Sequence, residues 1–175
     1  MIHVLVSACL LGEKVRYNGA DASCLDPIMA RWSAEQRIVP FCPEVASGLG
    51  VPRPAAEIDG GTGGAVLDGA GHVATLVGDD VTAFFVRGAR LALDLALRTG
   101  VRVAVLKDGS PSCASDFIYD GTFAGVKRPG QGVTTALLER NGVRVFNERQ
   151  LDEAAAYVAS LERSLGEGAP PATVL

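Results

Sequence analysis

Three of the cysteines, Cys9, Cys42 and Cys113, each follow a short apolar segment that is typical of a buried strand. In a parallel sheet the carboxyl ends of the strands emerge at one edge, and ligand sites form in the crevice there. The strand assignment therefore predicts that these thiols, remote from one another in sequence, lie in one place. For each cysteine taken alone, a small buried hydrophobe remains the alternative. Cys24 precedes a predicted helix, and we expect it to be incidental rather than a fourth ligand.

A set of three thiolates favours zinc, copper(I) or an iron–sulfur cluster, because sulfur is a soft ligand. His3 lies inside the first predicted strand and His72 lies in a predicted hairpin, so neither histidine is placed to complete a zinc site with the cysteines. Three protein ligands leave one coordination position open, which a catalytic metal centre needs and a structural one avoids. On these residues alone, the choice among the three metals stays open.

Composition places the chain among compact proteins of about one domain. It has 175 residues, of which 48% are hydrophobic, and a net charge of −4 without a long run of one sign. We therefore expect no duplex nucleic acid as partner, although one pocket would suffice for a modified base or nucleotide. No segment approaches the roughly 18 apolar residues that span a bilayer, and no signal peptide is expected. We predict a cytoplasmic protein whose cysteines are thiols or ligands rather than disulfides.

The elements that must position these residues alternate between strand and helix along the chain. The predicted strands lie at residues 2–6, 38–41, 101–106 and 143–146, and the predicted helices at residues 27–36, 81–98, 133–140 and 151–165. Such alternation is typical of a parallel sheet that is covered on both faces. We therefore predict an α/β fold, a single-domain Rossmann-like three-layer sandwich with a mostly parallel sheet. The domain would span residues 1–165, and residues 166–175 would form a flexible C-terminal tail.

Three connecting segments carry further expectations. Cys42–Pro54 is predicted to be an ordered loop, because its prolines cannot continue a ladder or a helix. In the glycine-rich stretch that follows, residues 66–67 and 73–74 flank Asp68–Gly69 and predict a small hairpin. Gly130–Gly132 precedes a predicted helix, where it is either a plain helix-entry turn or a source of N–H groups for an anion.

Around the three cysteines the sequence resembles a bacterial family that was long a domain of unknown function and that includes the thiouracil desulfidases. The resemblance covers four motifs in the expected order, together most of residues 7–142. These are SACLLGEKVRYNG (Ser7–Gly19), CPEVASGLGVPRPAAEI (Cys42–Ile58), LKDGSPSC (Leu106–Cys113) and IYDGTFAGVKRPGQGVTTALLERNG (Ile118–Gly142). The sequence differs from the common family pattern at Asn18, where aspartate is usual, and at Ala114, where glycine is usual. Neither difference touches the cysteines.

The resemblance implies a [4Fe–4S] cluster ligated by Cys9, Cys42 and Cys113, with one iron not ligated by protein. It also implies an enzyme that hydrolyses a C–S bond without redox chemistry, for example converting 2-thiouracil to uracil and hydrosulfide. Glu44 and Ser110 match the positions implied for catalysis. Residues 1–165 would then be a desulfidase-like cluster-binding domain, and its partner would be a small thiolated nucleobase or nucleotide.

The expected roles of the two catalytic candidates follow from their chemistry. Glu44 would act as general base towards a water molecule that attacks the thiocarbonyl carbon. Its alternative is an ordinary surface carboxylate or a partner for Arg53. Ser110 would bind the substrate or orient the water, and its alternative is to cap the turn at Pro111. Ser112 is a neighbouring candidate.

A second class of function stays open from the sequence. A non-catalytic iron–sulfur or zinc-binding protein, acting as a sensor or sulfide carrier, would need the three cysteines but not Glu44. Arg16, Tyr17 and Lys107 are further candidates for contact with substrate, and each has an equally plain structural alternative. The sequence carries no prediction of oligomeric state.

Overall fold

The computed structural model describes residues 1–167, which fold around one four-stranded sheet. In chain order the elements are β1 (Val4–Ser7), α1 (Pro27–Ala34), β2 (Ile38–Phe41), α2 (Pro43–Ala46), β3 (Ala56–Asp59), α3 (Gly63–Leu67), β4 (His72–Thr75), α4 (Thr82–Thr99), β5 (Val103–Leu106), β6 (Phe117–Tyr119), β7 (Lys127–Pro129), α5 (Val133–Arg140), β8 (Arg144–Asn147) and α6 (Leu151–Glu167). A 3₁₀ turn, Ala8–Leu11, follows β1 directly.

The central sheet has the strand order β2–β1–β5–β8, and every neighbouring pair is parallel. β1 lies in the middle, where Val4 pairs with Ile38 on one side and with Val103 on the other. All four carboxyl ends therefore emerge at the same edge. Two antiparallel pairs, β3–β4 and β6–β7, lie outside this sheet. The predicted α/β fold with a mostly parallel sheet is confirmed.

Helices cover both faces of the sheet, which completes the three layers. On one face Val4 and Val6 pack in a cluster with Trp32 of α1 and Val158 of α6. On the other face Leu5 packs in a cluster with helices α4 and α5. Because successive side chains of a strand point to opposite faces, both faces are buried only if the strand is apolar throughout. This is why the strands could be predicted from continuous apolar runs.

Local capping chemistry sets several helix ends where the sequence places them. The Asp26 side chain accepts a hydrogen bond of 2.7 Å from the Ile28 N–H, and Pro27 occupies the first helical position of α1. α4 ends at Gly100, whose φ of 68° is left-handed. Before α6 the Gln150 side chain accepts a hydrogen bond of 3.1 Å from the Asn147 N–H.

The hairpin predicted around Asp68–Gly69 is wrong. Residues 66 and 67 belong to α3, and the real hairpin pairs β3 with β4, with Ala56 opposite Thr75. α3 is stabilised by tertiary packing, since Val66 is buried and Gly63 lies so close to the Gly132 carbonyl that a β-carbon would overlap it. A short helix of this kind has no periodicity that the sequence can reveal.

The segment Cys42–Pro54 is ordered as predicted, but it is not all loop. It begins with the one-turn helix α2, and Pro43 occupies the first helical position, where the missing N–H breaks no hydrogen bond. The prediction treated proline as a helix breaker, which holds only for helix interiors.

The carboxyl-terminal part of the chain is described up to Glu167, where α6 ends, two residues beyond the expected helix end. The remainder of the predicted tail, residues 168–175, lies outside the described residues. Over the described part, none of the helices combines the length and apolar character that crossing a membrane requires.

Candidate functional site

A cavity of about 830 Å³ opens at the carboxyl edge of the sheet, and Cys9, Cys42 and Cys113 all line it. Cys9 lies in the 3₁₀ turn after β1, Cys42 lies between β2 and α2, and Cys113 lies on the loop after β5. The structure thus brings together the three thiols whose convergence the strand ends predict. All four cysteines are free, and Cys24 does not line this cavity.

Burial and mutual repulsion make the three thiols hard to ionise. Burial, with help from the neighbouring Cys42, raises the pKa of Cys9 to about 11, although Arg16 and Lys107 oppose the shift. Burial likewise raises the pKa of Cys113, and the charges of Cys42, Glu44 and Cys9 add to the effect. Burial also raises the pKa of Cys42. The charge of Cys42 raises the pKa of both Cys9 and Cys113, so the three thiols form one electrostatic unit. A shared cationic centre would stabilise them as thiolates.

The chemistry of the donor groups bears on which centre fits. Within residues 1–167 no three His, Cys, Asp or Glu side chains are arranged to hold a single metal ion. His3 and His72 do not line the cavity. Three thiols without a histidine beside them form a soft donor set, and a soft donor set suits an iron–sulfur cluster.

Glu44 projects from the first turn of α2 into the same cavity. Its Oε2 accepts hydrogen bonds from Arg53 Nε at 2.9 Å and from Arg53 Nη2 at 2.6 Å. Its Oε1 lies 3.3 Å from the Ser110 hydroxyl, which donates to it. The two side chains of the ion pair are only 15% and 9% exposed for Glu44 and Arg53. Glu44 is therefore both a partner of Arg53 and a carboxylate of the cavity.

Ser110 joins Glu44 to the loop that carries Cys113. Its Oγ accepts the backbone N–H of Ser112 at 3.0 Å and that of Cys113 at 3.1 Å, so its own hydrogen is directed to Glu44. Ser112 is fully buried, and its hydroxyl pairs with Thr134 at 2.9 Å. Of the two serines suggested by the sequence, Ser110 faces the cavity and Ser112 lies in the core. Ser110 also caps its turn, as the structural alternative proposed.

Two charged residues fix the loops around the cavity. The Arg53 guanidinium also donates to the Val15 carbonyl at 3.0 Å, and its backbone N–H donates to the Tyr17 carbonyl at 2.8 Å. Arg53 thereby joins the segment after Cys9 to the segment after Cys42. Asp108 has no exposed side-chain surface and forms an ion pair with Arg149. The sequence suggests Arg53 only as an alternative partner of Glu44. Nothing in it indicates that Arg53 or Asp108 holds the loops together.

Backbone contacts decide the role of the glycines before α5. The Gly130 N–H donates to the Asp116 carbonyl at 3.0 Å, and the Gly132 N–H donates to the Ala114 carbonyl at 2.9 Å. Both groups are thus occupied by the protein itself. A β-carbon on Gly132 would overlap the Ser112 carbonyl group. Gly130–Gly132 is therefore a helix-entry turn that allows α5 to approach the Cys113 loop.

These features define a single-domain α/β protein with a cysteine-lined cavity at the carboxyl edge of a parallel sheet. The family model for 2-thiouracil desulfurase matches residues 4–150, and the chain belongs to that family of C–S bond-cleaving enzymes. The family resemblance stated from the motifs is confirmed.

Two relatives place the chain within this family. It is 43% identical over 150 residues to "Uncharacterized protein YbbK" of Bacillus subtilis (strain 168), a match that covers 86% of this chain and 98% of the relative. A solved structure named "[4Fe-4S]-dependent thiouracil desulfidase TudS" is 49% identical and superimposes with a TM-score of 0.83, covering 91% of this chain and 99% of that one.

Proposed function

We propose that the chain is a [4Fe–4S]-dependent desulfidase that removes sulfur from a thiolated nucleobase, converting 2-thiouracil to uracil and hydrosulfide. The observation that carries the proposal is that three cysteines from three strand ends line one cavity beside the Glu44–Ser110 pair. Family membership and the name of the solved relative support the cofactor and the substrate class.

Cys9, Cys42 and Cys113 would hold the cluster, leaving one iron without a protein ligand. Within residues 1–167 the cavity is lined by three cysteines and by no histidine, and an open coordination position is what a catalytic metal centre needs. When bound, the cluster would supply a Lewis acid that polarises the thiocarbonyl carbon.

The chain's own residues would manage the water and its protons. Glu44 Oε2 is committed to Arg53, so Oε1 is the oxygen that takes a proton from the attacking water and returns it to the ring. Ser110 would hold that oxygen in place through its hydroxyl hydrogen. Water supplies the oxygen of the product, sulfur leaves as hydrosulfide, and no electron is transferred.

Anaerobic reconstitution followed by a sulfide-release assay tests the proposal. The expected protein carries about four irons and four sulfides per chain and releases hydrosulfide and uracil from 2-thiouracil in equal amounts. A fully loaded protein that releases no hydrosulfide from any thiolated nucleobase or its nucleotide would contradict the enzymatic proposal and would favour a sensor or sulfide carrier.

A further inference from the structure

Glu57 is a buried carboxyl group in the cavity that the mechanism above does not use. It lies on β3, it is only 9% exposed, and it lines the same cavity as the three cysteines. No arginine, lysine or histidine forms an ion pair with it within residues 1–167. Burying a carboxyl group without a cationic partner costs free energy, so its hydrogen bonds must account for its presence.

The two oxygens of the Glu57 carboxyl group have different surroundings. Oε2 accepts the backbone N–H of Gly121 at 2.9 Å and that of Phe123 at 3.0 Å, both from the turn between β6 and β7. Oε1 has no hydrogen-bond partner among the described residues, and it keeps some solvent-accessible surface. One oxygen therefore holds the turn, while the other remains available to a molecule in the cavity.

The turn that Glu57 holds presents an aromatic ring to the cavity. Phe123 has a φ of 58°, a left-handed conformation that bulky residues rarely adopt. Its ring is half-buried and lines the cavity. Because such a conformation persists only where the surroundings enforce it, the hydrogen bond from the Phe123 N–H to Glu57 is one of the contacts that hold this residue in place.

We propose that Glu57 is a substrate-binding residue that selects planar thiocarbonyl rings carrying an N–H group. Oε1 accepts the ring N–H, while the turn held by Oε2 lays the Phe123 ring against the plane of the base. This inference rests on the proposed desulfidase function and names the part of the cavity that recognises the ring. A site built to accept a substrate N–H discriminates against an analogue that lacks it, because the buried acceptor is then left without a partner.

The test compares Glu57→Gln with the unchanged protein on 2-thiouracil and on its N1-methyl and N3-methyl derivatives. The unchanged protein is expected to lose roughly 10- to 100-fold in kcat/KM when the contacted nitrogen is methylated, mostly through KM. E57Q is expected to show a similar loss on 2-thiouracil and no further loss on that methyl derivative. Equal losses on all three substrates would show that Glu57 only supports the turn, and would overturn the proposal.

A binding measurement separates this inference from the proposed function. Calorimetric titration with uracil and its two N-methyl derivatives reports the same contact without turnover, so it decides the role of Glu57 even if no hydrosulfide is released. E57Q should weaken uracil binding by the same roughly 10- to 100-fold factor, and unchanged binding would overturn the proposal. Glu57→Asp, which keeps the carboxyl group on a shorter stem, replaces E57Q if that variant does not fold.

Thr122→Ala is the matched control for the turn. Thr122 is exposed, and its hydroxyl donates to Asp120 at 2.6 Å within the same turn, so its removal loosens a turn contact without altering the Glu57 carboxyl group. T122A is expected to leave KM unchanged on all three substrates. A KM increase in T122A equal to that in E57Q would assign the effect to a loosened turn and count against the substrate contact.

Discussion

Arg53 and Glu44 form a largely buried ion pair in which Arg53 Nη2 lies 2.6 Å from Glu44 Oε2. The pair occupies one carboxylate oxygen and leaves the other facing Ser110, so in the proposed mechanism Oε1 is the atom that acts on a water molecule. It also connects two segments that carry proposed cluster ligands. A stabilising contact and a proposed catalytic position thus share one side chain.

Arg53→Ala should lower the free energy of unfolding by about 3–5 kcal/mol, because it leaves the Glu44 carboxylate buried without its partner. Arg53→Lys should cost less but should not restore the two-point contact, since lysine offers a single compact charge. Chemical denaturation measures both values. An R53A protein as stable as the unchanged one would show that the pair contributes nothing net.

Glu44→Gln should keep the cluster absorbance and reduce sulfide release by about 10²- to 10⁴-fold, as expected for loss of a general base. The measurements are the visible absorption spectrum and the initial rate of hydrosulfide formation. Glu153→Gln, at an exposed position of α6, is the matched control and should change neither. Full turnover in E44Q would remove Glu44 from the mechanism.

Substitutions of the two serines near Cys113 should differ in their effect on turnover. Ser110→Ala removes the hydrogen bond to Glu44 and the cap on the Ser112 and Cys113 N–H groups, so it should reduce sulfide release and cost about 1 kcal/mol of stability. Ser112→Ala leaves the Thr134 hydroxyl without its partner and should cost about 1–3 kcal/mol of stability while turnover is retained. Thermal denaturation and kcat, measured on both variants, give the comparison. The reverse pattern would place the active hydroxyl at Ser112.

Serine substitutions at the cysteines test the proposed ligand set. Cys9→Ser, Cys42→Ser and Cys113→Ser should each lose most of the iron after anaerobic reconstitution, since each removes one thiolate ligand. Cys24→Ser is the control and should load fully, because Cys24 does not line the cavity. Iron and sulfide analysis measures the outcome, and iron loss in C24S comparable to that in the other three would make Cys24 a ligand.

Protonation of Asp108 should account for part of the loss of folding stability at low pH. Burial alone would raise its pKa, but the hydrogen bonds from Arg149 and from the N–H groups of Asp116 and Phe117 outweigh burial and lower the pKa. The ionised form is thus favoured by folding. Its contribution to stability is complete above the unfolded pKa of about 3.9 and is lost as the pH falls through the lower folded value.

Asp108→Asn should accordingly reduce stability at pH 7 by about 1.5–3 kcal/mol and flatten the decline in unfolding free energy below about pH 4. Urea titrations from pH 7 to pH 3 measure both effects. Identical pH dependence in the two proteins would show that Asp108 does not contribute to acid unfolding.

The positions of the cysteines were predictable because they depend on local signals. Apolar runs define the strands, parallel strands end at one edge, and the thiols after those ends must meet there. α1 and α4 were equally accessible, since Asp26 and Gly100 mark their ends with side-chain and backbone chemistry.

Other parts depend on contacts between remote segments, which a single sequence does not display. α3 is stabilised by the packing of Gly63 against Gly132, and no local sequence pattern predicts this helix. The organising roles of Glu57 and Asp108 depend on Gly121 and Arg149, far along the chain. A carboxylate in such a position looks like any surface acid until its partners are known.

The helix-entry turn at Gly132 has a consequence for altering this enzyme. Since a methyl group there would collide with the backbone just before Cys113, the site depends on a missing side chain as much as on the groups it displays. Mutagenesis aimed at new substrates should leave this position alone and vary Phe123 instead, because Phe123 lines the cavity from the turn between β6 and β7, outside the loop that carries Cys113.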